Sequence, residues 1–170
     1  MSGYRFERLR ILVVDDNAHM RKLVTTILQA FGVVQIYEAD SGERAWTALR
    51  EANPDVVILD WAMDGTSGLE LVRMIRSNPA CPNTFVPVIM LSGHTSAEHV
   101  LEARDAGINE FIAKPVSVNT MMSRLVALIE HPRPFVRTNK YFGPCRRRRG
   151  AEDYCGPERR AEKPKQQAAK

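Results

Sequence analysis

Apolar residues over the first 130 positions come in two alternating textures. Short, nearly continuous runs at 10–14, 33–37, 55–59, 85–91 and 110–113 read as strands. Between them, 17–31, 42–52, 67–77, 95–106 and 117–130 carry apolar residues at helical spacing. Ser41 stands where a helix N-cap belongs, and Gly32 and Gly107 stand where helices stop. The alternation predicts an α/β fold, (βα)5, with a doubly wound parallel five-stranded sheet of the flavodoxin type covered on both faces.

The texture changes after Glu130. His131-Pro132-Arg133-Pro134 ends the last helix, and 139–170 shows no sustained apolar period. Phe135, Val136, Tyr141 and Phe142 are left either to dock on the domain or to stay mobile, and 162–170 reads as disordered. The expected organisation is a domain over 1–130 and a largely disordered arginine-rich tail over 131–170. Charge divides the same way: residues 1–130 hold 12 Lys/Arg against 16 Asp/Glu, and residues 131–170 hold 12 against 4. With no apolar run of about 18 residues and no charged-then-apolar leader, neither membrane insertion nor secretion is expected. Three cysteines, an odd number, suit reduced thiols in the cytosol; Cys145 and Cys155 have no nearby His to make a zinc site.

In a doubly wound sheet, ligand chemistry gathers at the carboxyl ends of the strands. Asp15 and Asp16 end the first strand, Asp60 the third, Ser92 the fourth and Lys114 the fifth. Three carboxylates in one crevice repel one another unless a cation joins them. Hard oxygen donors suit Mg²⁺. Asp60 is the expected nucleophile toward phosphorus, Lys114 the partner of a phosphoryl oxygen and Ser92 a hydroxyl donor to it.

These residues resemble the receiver domain of response regulators, the CheY-like family, over roughly 8–130. The resemblance rests on Val13-Val14-Asp15-Asp16-Asn17, Leu59-Asp60-Trp61-Ala62-Met63, Leu91-Ser92-Gly93 and Phe111-Ile112-Ala113-Lys114-Pro115. It implies that Asp60 is the phospho-acceptor and that Asp15, Asp16, Asp60 and the Ala62 carbonyl hold Mg²⁺. It also implies that Ser92 is the switch hydroxyl, Phe111 the switch aromatic, and Lys114–Pro115 a cis peptide aiming Lys114 into the pocket. Two departures stand out: Asp64 replaces the usual proline four residues after the acceptor, adding charge at the rim, and Phe111 replaces a frequent tyrosine.

The tail carries one phrase twice, thirteen positions apart: Tyr141-Phe-Gly-Pro-Cys-Arg-Arg147 and Tyr154-Cys-Gly-Pro-Glu-Arg-Arg160, with Arg148 and Arg149 between them. Gly-Pro reads as a break in helix or strand. Arginine grips the O6/N7 edge of guanine or a phosphate, tyrosine stacks on bases, and acids such as Glu152, Asp153 and Glu158 accept the N1–H and N2–H of guanine. Such a duplicated set fits a ligand with two guanines and two phosphates, which is the composition of cyclic di-GMP. At this point the chain resembles the CheY-like cyclic di-GMP effectors (Cle proteins). That resemblance implies a ligand segment within about 141–160 and action at the flagellar motor switch, with recruitment from the cytosol to the flagellar pole. The candidate ligand residues are Arg146, Arg147, Arg148, Arg149, Asp153, Tyr154, Arg159 and Arg160. Arg147, Arg148, Arg159 and Arg160 are assigned to base edges and phosphates, Tyr154 to stacking and Asp153 to a Watson–Crick edge.

Two simpler readings of the tail stay open: a non-specific nucleic-acid tail, which the exact repeat and its acids disfavour, and an inert appendage on a phosphorelay receiver served by a histidine kinase or phosphotransfer protein. No further active site is legible, so the protein is read as a signalling protein that at most phosphorylates and dephosphorylates itself at Asp60.

Overall fold

A computed structural model describes residues 6–146 and, by backbone, 165–167. Central strands β1 (Arg10–Val14), β3 (Val56–Asp60) and β4 (Val88–Ser92) are almost wholly buried, as continuous apolar runs require when both faces are covered. With β2 (Gln35–Ala39) and β5 (Glu110–Ala113) they form one parallel sheet in the order β2-β1-β3-β4-β5. Alternation along the strands divides the core. Leu12, Val14, Val57, Leu59, Val88 and Met90 face α2 (Gly42–Ala52), α3 (Gly68–Ser77) and α4 (Ala97–Ala106). Ile11, Val13, Ile58, Ile89 and Leu91 face α1 (Ala18–Ala30) and α5 (Val118–Glu130).

The helix starts are capped by side chains. Asn17 accepts from the N–H groups of His19 and Met20, Ser41 from Arg44, Ser96 from His99 and Ser117 from Thr120. Ser67 and Glu70 form a reciprocal capping box. Strand β3 shifts by one residue from the expected limits, and two others shift further. Val33 and Val34 belong to the turn after α1, with the Val33 N–H donating to the Leu28 carbonyl, so β2 begins at Gln35. Phe85 and Val86 precede β4, because Pro87 has no N–H for the ladder and its carbonyl takes the Val57 N–H instead.

Of the tail over 131–170, expected to be largely disordered, the first part is ordered and takes the docked alternative left open for Phe135, Val136, Tyr141 and Phe142. Phe135–Thr138 (β6) and Tyr141–Pro144 (β7) pair as an antiparallel hairpin, with Thr138 opposite Tyr141 and Phe135 opposite Pro144. Lys165–Gln167 (β8) lies on the other edge of β6. The hairpin packs on the domain. Phe135 meets Phe85 at 5.1 Å between ring centroids and Phe142 at 5.6 Å, and the buried Arg76 guanidinium lies 5.0 Å from the Phe135 ring. Gly143-Pro144 does not break the strand. Pro144 ends an edge strand, where a missing N–H is tolerated. Gly143 is needed for close approach: a Cβ there would come within 2.6 Å of the Tyr141 hydroxyl and 2.9 Å of Gly107 Cα.

Candidate functional site: the acidic pocket and the arginine segment

Four parallel strands end side by side and deliver the expected residues to one crevice. Carboxylate oxygens of Asp15, Asp16 and Asp60 all lie within 4.8 Å of one another. Asp15 is 1% exposed and Asp60 4%, whereas Asp16 opens to solvent. Lys114, one residue past β5, reaches Asp60 Oδ1 at 2.8 Å and Asp15 Oδ2 at 3.4 Å. Its peptide bond to Pro115 is cis, as the resemblance implied. Its main-chain N–H donates to the Ser92 carbonyl, which ties the ends of β4 and β5 together.

Burial raises the Asp60 carboxyl above its ordinary value and the Asp15 charge adds to this, while the Lys114 hydrogen bond pulls the other way. Lys114 is raised despite its own burial, because Asp60 and Asp15 both favour the ammonium form. Three carboxylates thus face one ammonium, and the donor set is all hard oxygen, which fits a divalent cation of the Mg²⁺ type.

Ser92 is 1% exposed, and its hydroxyl is engaged with the following loop, accepting from the His94 N–H at 3.0 Å and donating to the His94 carbonyl at 3.1 Å. Phe111 is half-buried against the core on the α2–α4 side. Ala62 follows Asp60 by two residues on the exposed β3–α3 loop.

Several contributions to the site were not legible in the sequence. The Asp64 N–H donates to Asp16 Oδ2 at 2.9 Å, a bond that the proline usual at this position could not make. Asp64 therefore helps orient an acid of the pocket as well as adding charge. The Asn17 N–H holds Asp15 Oδ1 at 2.8 Å, and the Arg21 guanidinium donates to the Asp15 carbonyl at 2.7 Å. Gly68 lets the loop fold back over the end of β3, since a Cβ there would overlap the Asp60 carbonyl oxygen. Trp61, His99 and His94 make an aromatic row beside the pocket, with successive ring centroids 5.3 Å apart. The signals were present as two histidines shortly after Ser92 and a glycine at a helix start, but neither declares a neighbour.

The arginine segment is reached only at its beginning. Arg147, Arg148, Arg149, Asp153, Tyr154, Arg159 and Arg160 lie outside the described residues. Arg146 pairs with Asp105 of α4 at 3.1 Å, and its guanidinium lies 4.2 Å from the Tyr141 ring centroid. Between α3, α4 and the hairpin runs a groove of about 530 Å³ lined by Arg73, Arg76, Glu102, Asp105, Lys140 and Tyr141, among others.

Among known proteins, a sequence profile of the response regulator receiver domain matches residues 11–126. Chemotaxis protein CheY-3 of Vibrio cholerae is 33% identical over 124 residues, spanning 73% of this chain and 94% of its own. Chemotaxis protein CheY1 of Helicobacter pylori is 33% identical over 123 residues, spanning 71% and 97%. The receiver domain of Francisella response regulator 1452 has the same fold at TM-score 0.66 and 26% identity, covering 72% of this chain and 98% of that one. Because the profile runs from β1 into α5, it takes in every strand that supplies the pocket, and the chain belongs to the response regulator receiver domain family.

Proposed function

We propose that this receiver is a CheY-like chemotaxis and motility adaptor with two inputs, a phosphoryl group at Asp60 and cyclic di-GMP at the arginine-rich segment over 146–160. Liganded through that segment, it docks on a partner, the flagellar motor switch, and tunes motility or surface attachment. Receiver domains are signalling modules rather than catalysts, and among the described residues no helix is long and apolar enough to cross a membrane.

For the phosphoryl input the carrying observation is Lys114 held between Asp60 and Asp15 at the ends of three strands. An Asp60 oxygen attacks the phosphorus of a phosphohistidine or small phosphodonor. The bond from phosphorus to the leaving group breaks, the leaving group keeps the electron pair, and Asp60 becomes an acyl phosphate. Lys114 then pairs with a phosphoryl oxygen, and Ser92 is the hydroxyl that turns from His94 toward it. Asp15, Asp16, Asp60 and the Ala62 carbonyl would hold Mg²⁺, which supplies charge neutralisation to the phosphoryl oxygens. Phe111 is the aromatic that responds to the Ser92 movement.

For the ligand input the carrying observation is the duplicated Tyr-x-Gly-Pro-x-Arg-Arg phrase with Asp153 and Glu158 interleaved. Affinity carried by phosphate alone would fall alike for all nucleotides on adding salt. Guanine-edge recognition by Arg and Asp would not. Calorimetric titration of the reduced full chain with cyclic di-GMP, GTP and a short single-stranded DNA separates the two. Tight binding of cyclic di-GMP alone, lost in the double variant Arg147→Ala/Arg148→Ala with the receiver still folded, supports the reading. Equal binding of all three ligands, or retained affinity in the double variant, overturns it in favour of a phosphorylation-driven receiver with a nucleic-acid-binding or inert tail.

A further inference from the structure

Arg146 opens the arginine run, yet it is already in use on the receiver. Its Nη2 pairs with Asp105 Oδ1 in the last turn of α4 at 3.1 Å, and its guanidinium lies over the Tyr141 ring at 4.2 Å. Tyr141 is itself fixed, donating its hydroxyl to the Pro144 carbonyl at 2.8 Å. The grip on Arg146 is incomplete, since its Nε is buried and has no hydrogen-bond partner among the described residues. It is also weak by nature. The Asp105 side chain is 52% exposed and the Arg146 side chain 34%, and ion pairs so exposed to water contribute little.

A phosphate group offers more to the same guanidinium. It can accept two parallel N–H bonds at full charge, which an arginine fork matches in geometry. Asp105 would not be stranded by the exchange, because the same Oδ1 has the Arg104 guanidinium of its own helix at 3.4 Å. Arg146 can therefore be given up by α4 with a replacement cation already in place.

We propose that the Asp105–Arg146 pair is a ligand-sensitive tie: α4 and Tyr141 hold Arg146 in the free protein, and a phosphate of the ligand takes it over. The proposal rests on the cyclic di-GMP reading given above. Two consequences follow on the receiver surface. The last turn of α4 loses a bound cation, so Asp105 stands with less positive charge around it, and one face of the Tyr141 ring is uncovered. Ligand capture by the segment is in this way reported on a helix of the receiver, and Asp105, outside the ligand segment, sets part of the affinity by competing for one of its arginines.

The test is calorimetric titration with cyclic di-GMP of three full-length proteins: wild type, Asp105→Asn and Glu102→Gln. Glu102 is on the same helix one turn earlier and pairs with Arg73 at 3.5 Å, so its substitution makes the same charge change without touching Arg146. Asp105→Asn is expected to bind roughly two- to fivefold more tightly than wild type, the scale of a lost exposed ion pair, and Glu102→Gln to match wild type. In parallel, the Arg146 Nε–H signal in nitrogen-resolved NMR is expected to move on ligand addition to wild type and to start already displaced in Asp105→Asn. Equal or weaker binding by Asp105→Asn, or an equal gain in Glu102→Gln, overturns the tie while leaving cyclic di-GMP binding intact. Absence of binding in all three proteins overturns the underlying ligand reading and the tie with it.

Discussion

Phe135→Ala asks whether the hairpin is built into the domain or merely laid on it. Phe135 is 3% exposed, touching the Phe85 and Phe142 rings and the Arg76 guanidinium. Burying a phenylalanine side chain contributes roughly 1.5–3 kcal/mol by transfer alone. With the cavity left behind, Phe→Ala changes in cores cost about 3–5 kcal/mol. A hairpin at the edge of the fold can partly collapse into the gap, which places this site near the lower end. The lost guanidinium–ring contact adds about 0.5–1 kcal/mol. A destabilisation of about 3.5–4 kcal/mol is therefore expected. Burial now holds the Arg76 guanidinium at a pKa of about 10, and water admitted beside it should return that value toward normal. Urea unfolding of the full chain, followed by far-ultraviolet circular dichroism, measures the change. Val100→Ala on the exposed side of α4 is the control and should stay within about 0.5 kcal/mol of wild type. A loss below about 1 kcal/mol for Phe135→Ala would refute the assignment of the hairpin to the receiver core.

Asp60→Asn should stabilise the fold at neutral pH, by roughly 0.5–2 kcal/mol as is common when a functional charge is neutralised. The sign follows from the raised Asp60 carboxyl: the folded state holds that proton more tightly than the unfolded chain, so its stability falls as pH rises from the ordinary carboxyl value through the raised one. The advantage of Asn should accordingly vanish below the ordinary carboxyl range, and thermal unfolding across pH shows whether it does. Lys114→Met leaves Asp60 and Asp15 facing each other without their ammonium and should slow phosphoryl uptake from a small donor by about 10²–10³-fold, measured as single-turnover rates. Asp64→Pro removes both the rim charge and the N–H donor to Asp16 and should weaken Mg²⁺ binding by about tenfold, whereas Asp64→Ala, which loses the charge but keeps the N–H, should weaken it less. Fluorescence of Trp61, beside the acceptor, follows that titration.

The five-stranded sheet was legible because its central strands are short apolar runs that tolerate no other placement, and the pocket because its residues follow those runs directly. Limits were less legible where an apolar residue serves something other than the sheet. Phe85 reads as the start of β4 but packs against the hairpin, and Val33 fills the turn after α1. The hairpin itself was hidden because Gly143-Pro144 has the local signature of a break. The partners that make a strand acceptable there, Gly107 and Phe85, are distant in sequence. Asp64 shows the same limit at the site: its side chain suggested only added charge, while its backbone N–H, invisible in composition, orients Asp16. Arg146 looked like one of a run of ligand arginines, and only the fold shows that α4 already holds it.

The central claim, that Asp60 accepts a phosphoryl group in a pocket completed by a divalent cation and Lys114, is tested most directly by intact-mass analysis after incubation with acetyl phosphate. Wild type with Mg²⁺ should gain one phosphoryl group that maps to Asp60. The gain should be absent without Mg²⁺ and in Asp60→Asn, and unchanged in Arg147→Ala/Arg148→Ala. No adduct on the folded wild type, or an adduct that persists in Asp60→Asn, would contradict it.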